Sequence, residues 1–195
     1  MTDTENKNYF SDQDLVEHTL SSETQYRGRL LHVKTDRVRL PDGRESGREY
    51  IVHPGAVAII AVAQDGKIIL ERQYRYPLRQ DFIEIPAGKI DEGEDDLVTA
   101  QRELEEETGY VASAWTHMIT THPCIGYSNE RIEFFLAEGL TQKAPRREPG
   151  EFLDVFAVPL QTVLEWIHSG KITDTKTITG MLWYEKFARR DSLQG

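Results

Sequence analysis

Residues 88–110, GKIDEGEDDLVTAQRELEEETGY, constrain this chain more than any other stretch. Acidic residues crowd two parts of it, 91–96 and 103–107, and the second crowd falls in a run with helical patterning. Leu97, Val98, Ala100 and Leu104 form an apolar stripe that predicts a helix over 94–108 seated on a sheet. On that helix Glu103 and Glu107 stand four positions apart and Glu106 three from Glu103, so all three carboxylates share one patch. Like charges at that spacing repel. A fold that collects them either leaves them to solvent or neutralises them with a cation. Hard oxygen donors suit Mg²⁺ or Mn²⁺ better than zinc.

The surroundings of the acids decide between these readings. Gly88, Glu94, Arg102, Glu103, Leu104, Glu106, Glu107 and Gly109 reproduce the spacing G-x5-E-x7-R-E-U-x-E-E-x-G-U, where U is a bulky apolar residue. Tyr110 fills the last position with an aromatic side chain in place of the usual aliphatic one. Each part has a physical use. Gly88 closes a strand and, lacking Cβ, lets the backbone turn near a ligand with the Ala87 carbonyl facing a metal. Gly109 suits the residue after a helix end. Arg102 offers a charged fork that braces carboxylates. Together with Glu94 it reads as structural rather than metal-binding.

This signature resembles the Nudix box of the Nudix hydrolases, which cleave a nucleoside diphosphate linked to another group. Outside the box, RLLHVKTDRVRLPDGRESGREYIVHPGAVAIIAV, QYRYPLRQDFIEIPAGKIDEGE and HPCIGYSNERIEFFLAEGL are similar to the ADP-ribose pyrophosphatase branch, over most of residues 23–190. The resemblance implies a metal set of Ala87, Glu103, Glu106 and Glu107, with Glu106 assisting catalysis. It makes Glu130 the general base on a loop, Arg75 a diphosphate contact, and Arg48 and Glu49 the holders of the adenosine end, often across a homodimer interface. No tryptophan precedes Trp115, so the base would stack on something other than an indole. An arginine face can serve, and Glu49 can accept from an adenine amino group. Mg²⁺-dependent cleavage of ADP-ribose to AMP and ribose 5-phosphate is the expected reaction. A pyrophosphatase for another nucleotide sugar such as GDP-mannose is the alternative within the class, and a non-catalytic ligand sensor the alternative outside it.

At 195 residues the chain is long enough for one sizeable core with a small appended unit. Cys124 is the only cysteine, so no intrachain disulfide can form, and a reducing cytoplasm is the expected compartment. A loop role fits Cys124 better than a nucleophilic one. The N-terminus is polar and acidic without the features of a signal peptide, and no apolar run approaches a membrane span. A formal charge of −10 argues against nucleic-acid binding but not against an anionic small molecule, because a cation and a few arginines reverse the local field.

Taken in order, residues 1–20 read as a flexible N-terminus and 21–53 as a β-meander for dimerisation, with strands over 30–40 and 49–52 around a Pro-Asp-Gly turn at 41–43. Residues 54–195 read as the catalytic domain. It has strands over 56–63, 67–73, 82–86, 115–121, 132–138 and 152–158, and helices over 160–168 and 176–189. A polar loop is expected over 143–151, and Trp166, Trp183, Tyr184 and Phe187 read as core. The fold class is α/β: a Nudix-type α/β/α sandwich with a mixed sheet, plus a small N-terminal antiparallel β unit. His53, His117 and His122 lack metal-site spacing and read as structural or loop residues.

Overall fold

Among the described residues three strands come first: β1 (His18–Arg27), β2 (His32–Arg39) and β3 (Glu45–Val52), paired antiparallel in that order. The computed structural model describes residues 14–143 and 152–188. The expectations for residues 1–13, for the loop over 144–151 and for Arg189 lie outside the described residues. The hairpin between β2 and β3 follows from its turn. Gly43 takes φ 87°, Asp42 Oδ1 accepts from the Arg44 amide at 3.0 Å, and Leu40 and Arg44 close the turn backbone to backbone at 2.8 Å. Every residue of β1 is exposed, and its sequence, HTLSSETQYR, carries no apolar alternation. Its ladder with β2 forms it, which is why it begins inside the stretch expected to be flexible. Val38 is the buried apolar side chain of this unit among the described residues, and Gly126–Ser128 join it through the Ile51 amide, which donates to the Tyr127 carbonyl at 2.8 Å.

The second unit begins at His53. Its elements in order are β4 (Ala56–Ala61), β5 (Lys67–Arg75), β6 (Gln80–Glu84), β7 (Ala87–Lys89), α1 (Asp96–Glu103), β8 (Tyr110–Val111), β9 (Ala114–Thr121), β10 (Ile132–Glu138), β11 (Thr141–Gln142), β12 (Leu153–Pro159), α2 (Leu160–His168) and α3 (Thr175–Trp183). A wide π-helical turn follows α1 at Leu104–Thr108 and another follows α3 at Tyr184–Ala188. β7, β4, β10 and β9 form a mixed sheet in that order, with β4 and β10 parallel. β12, β5 and β6 form an antiparallel sheet, and β8 pairs with β11.

Side chains on successive strand residues point to opposite faces, and both faces here are apolar. Val57, Ile59, Ala61, Phe135 and Ala137 pack with Ala100 and Leu104 of the acidic helix and its wide turn. Ala58, Ile60, Phe134 and Leu136 pack with Leu160, Val163, Met181 and Tyr184. Helices therefore cover the strands on both sides, and the α/β/α sandwich follows. Some expected core positions differ. Val98 is half exposed while Thr99 is fully buried, because the Thr99 hydroxyl donates to Glu94 at 2.8 Å and finds the Asp95 carbonyl at 3.1 Å. Phe187 is half exposed and lies against Trp183 with ring centroids 4.6 Å apart.

One local change of partner prepares the site. β6 pairs with β5, but two residues later β7 pairs with β4 in the other sheet. The switch is pinned at Ile85, whose amide donates to Thr177 Oγ1 of α3 at 2.9 Å, and at Pro86, whose carbonyl accepts from Ile59 at 2.8 Å. Glu84 and Ala87 are thus held on either side of a fixed corner.

Candidate active site

α1 begins where Asp95 caps it, its carboxylate accepting from the amides of Leu97 and Val98. The helix then widens over Leu104–Thr108, the segment that carries Glu105, Glu106 and Glu107. In that turn the Thr108 hydroxyl donates to the Leu104 carbonyl at 2.5 Å and accepts from the Tyr110 amide at 3.0 Å. Gly109 ends the turn at φ 74° and donates to Glu105 at 3.0 Å, the left-handed cap that a glycine adopts without strain. Sequence spacing gave ideal α geometry here; the π turn sets the acids on a wider arc.

Two of the acids meet the backbone of the 87–88 corner. Glu107 is buried, and its Oε2 accepts from the Ala87 amide at 3.2 Å. Glu103 lies so close to Gly88 that a Cβ there would stand 2.0 Å from its carboxyl carbon. Only glycine leaves that room. Arg102 is threaded among the remaining acids: Nε and Nη2 donate to the two oxygens of Glu94 at 3.1 and 2.8 Å, and Nη1 donates to Glu103 at 2.8 Å and Glu106 at 3.2 Å. The guanidinium and the Thr99 hydroxyl pull the Glu94 carboxyl down to about 2, and the acids raise Arg102 above the ordinary arginine range.

Among the described residues no three His, Cys, Asp or Glu side chains converge as a ready-made metal cage. Arg102 shares their charge instead. The donor set nevertheless suits a hard divalent ion: Glu103 and Glu107 reach one backbone corner, Glu106 sits in the same turn, and the cradle over Gly88 is the kind of space a Cβ would close. Carboxylate and carbonyl oxygens are the ligands such an ion takes.

The other expected residues fall in several places. Arg75 ends β5, is half exposed, and forks onto Glu84 with Nε and Nη2 both at 2.7 Å, rather than onto Glu71 or Asp81. The hydrogen bond to Glu84 dominates in raising its pKa against the effect of burial, and the charge of Glu107 is the smallest of the causes, so of the box acids Arg75 feels Glu107. Glu130 is partly buried, with an oxygen 3.7 Å from His53 Nδ1, which also accepts from the Gly55 amide at 3.1 Å. Arg48 and Glu49 lie on β3 of the N-terminal unit, where Arg48 donates to Glu17 through Nε at 2.8 Å and Nη2 at 2.5 Å.

Two polar clusters escaped the sequence reading. Glu84 is buried with Arg75 and Lys176 on its carboxylate; burial pushes its pKa up, but the two cations hold it below the usual carboxylate range. Glu133 is buried on β10 and accepts from Thr120 and lies 2.7 Å from His117, while Arg131 bridges it to Asp96 at the start of α1. Lys176 and Asp96 are brought in from distant parts of the sequence, whereas Arg131 is two residues from Glu133. The available signal was an acid at an inward position of an apolar strand, in FIEIP and in RIEFF.

The NUDIX domain family matches residues 52–177, and the family described as the nucleoside diphosphate sugar hydrolase N-terminal domain matches residues 17–51. The chain belongs to the Nudix family. This Nudix chain is 41% identical over 167 residues to a protein of Bacillus subtilis (strain 168) named ADP-ribose pyrophosphatase, covering 85% of the chain and 90% of that relative. It is 40% identical over 171 residues to a protein of Bacillus methanolicus named methanol dehydrogenase activator, with 87% and 92% covered. Among solved structures, one titled "Crystal structure of ADP compounds hydrolase" superposes with a TM-score of 0.81 at 22% identity, covering 90% of this Nudix chain and 95% of that one, and so shares its fold. The acids on the 87–88 corner are thus those of a Nudix hydrolase.

Proposed function

We propose that this enzyme hydrolyses the diphosphate bond of ADP-ribose, releasing AMP and ribose 5-phosphate. The observation that carries this reading is the convergence of Glu103 and Glu107 on the Ala87–Gly88 backbone, with Arg75 close enough to feel the charge of Glu107. Ala87, Glu103, Glu106 and Glu107 would hold Mg²⁺, or Mn²⁺ in its place. Such an ion, when bound, neutralises phosphate charge and lowers the pKa of a bound water.

The chain's own groups do the rest. Arg75 turns its guanidinium to the diphosphate, the point of greatest charge in the substrate. Glu130 takes a proton from the attacking water through its carboxylate, and Glu106 assists. Arg48 offers its face to the base, since Glu17 occupies two of its nitrogens, and Glu49 accepts from the base amino group. Arg102, Glu94, Gly88 and Gly109 keep the acids in place. We further take the active form to be a cytoplasmic homodimer formed through residues 21–53, ahead of the catalytic domain at 54–195. No nucleic acid or membrane enters the reading, and among the described residues no helix is long and apolar enough to cross a membrane.

The test is product analysis with Mg²⁺ and, in parallel, ADP-ribose, GDP-mannose, NADH and diadenosine polyphosphates. AMP and ribose 5-phosphate forming fastest from ADP-ribose supports the assignment. Faster cleavage of GDP-mannose overturns the substrate and keeps the metal site. No turnover of any member favours a ligand sensor.

A further inference from the structure

Glu84 is a buried carboxylate to which the catalytic reading gives no task. Its side chain is 5% exposed at the end of β6, three residues before Ala87. Both oxygens accept from Arg75, each at 2.7 Å, in a parallel fork. Lys176 adds a third charged contact on Oε2. An isolated carboxylate at such depth would be costly, and charge-assisted bonds of this kind offset the lost hydration.

The partners are themselves anchored. Lys176 Nζ is 3.1 Å from Asp174 Oδ2. Asp174 caps α3, accepting from the Thr177 amide at 2.9 Å and hydroxyl at 2.6 Å. Thr177, fully buried, accepts in turn from the Ile85 amide at 2.9 Å. A chain of bonds therefore runs from the first turn of α3 through Lys176 to Glu84 and Arg75, and a second runs from the same turn to the backbone of the corner that holds Ala87.

Two cations, Arg75 and Lys176, balance two anions, Glu84 and Asp174, so the cluster is formally neutral (2 − 2 = 0). Net charge is not its contribution; direction is. The fork consumes Nε and Nη2 of Arg75, and Nη1 has no partner among the described residues. A guanidinium held by two of its nitrogens cannot rotate about its own fork, and its third nitrogen points along one fixed line. Fixed donors aimed at a charged group act without reorganising when it arrives.

We propose that Glu84, held by Lys176 and the cap of α3, is a positioning residue that aims the Nη1 edge of Arg75 at the substrate diphosphate. This rests on the reading of Arg75 as a diphosphate contact under Proposed function. The role is mechanical: Glu84 touches no substrate, and its effect passes entirely through Arg75.

The experiment is a double-mutant cycle on the full chain with saturating Mg²⁺, reading kcat, KM and Tm for wild type, Glu84→Gln, Arg75→Ala and the pair. Each single change is expected to lower kcat/KM about 100-fold, and the pair no further than the worse single, because both remove one aimed donor. Glu84→Asp keeps the charge and shortens the reach by one methylene; it is expected to stay folded and still lose about tenfold in kcat/KM. Lys176→Met, which loosens Glu84 but leaves the fork, should lose less than Glu84→Gln. Losses that multiply in the pair, or a Glu84→Asp enzyme with wild-type kcat/KM, overturn the proposal; a merely structural Glu84 would lower Tm while the folded enzyme kept its kcat and KM. The wild-type substrate panel decides the reading separately. If GDP-mannose is cleaved and ADP-ribose is not, the cycle is run on GDP-mannose with the same expected outcome, and an enzyme that cleaves nothing overturns both.

Discussion

A guanidinium set among Glu94, Glu103 and Glu106 relieves the repulsion that would otherwise push those carboxylates apart. In the proposed reaction Glu106 and Glu107 hold the metal, so their charge serves turnover more than folding. Glu106→Gln and Glu107→Gln should each lower kcat by two or more orders of magnitude, with Tm changed by no more than a few degrees; steady-state kinetics beside a thermal melt checks this. Gly88→Ala should do comparable harm by a different route, since its methyl would displace the Glu103 carboxylate, and the same pair of measurements checks it. Glu94 gives a pH prediction. Its folded pKa of about 2 lies below the ordinary 4.5, so its contribution to stability is complete above about pH 4.5 and is lost as pH falls toward 2. Melts of wild type and Glu94→Gln should differ at neutral pH and converge across that window.

At the scale of elements, the wide turn after α1 is the feature that spacing did not reveal. The pattern of Leu97, Ala100 and Leu104 announces a helix, and Gly109 announces its end, but one extra residue in the last turn leaves no mark on apolar periodicity. The same limit applies to β1, whose polar residues form a strand through backbone pairing alone, and to β7, too short to show any period. By contrast β4, β10 and α2 announce themselves by buried apolar runs and a clear amphipathic face. The acids of the box, Arg102 and both glycines were legible because their spacing is local. The partners of Arg75, Glu130 and Arg48 were not, because each is brought in by tertiary pairing: Glu84, His53 and Glu17. Gly109→Ala tests the cap. A non-glycine residue in the left-handed region costs about 1–2 kcal/mol, and Tm should fall by roughly 2–8 °C.

For the whole molecule, β1 is an exposed ten-residue edge with Leu20 and Tyr26 open to solvent, and such an edge calls for a cover. If residues 21–53 make a homodimer, light scattering at micromolar concentration should report twice the 22.4 kDa chain mass, and a mass of one chain would refute the dimer. The parallel pairing of β4 with β10 carries a consequence of another kind. Residues 61 and 132 bracket the acidic helix, so Glu103, Glu106 and Glu107 lie wholly within a loop that closes only when β10 docks beside β4. Loops of that length close late and slowly, and topologies dominated by such contacts fold on millisecond-to-second scales. During synthesis the acids leave the ribosome well before the strand that completes their sheet, and they wait as a highly charged, water-loving segment that resists premature collapse.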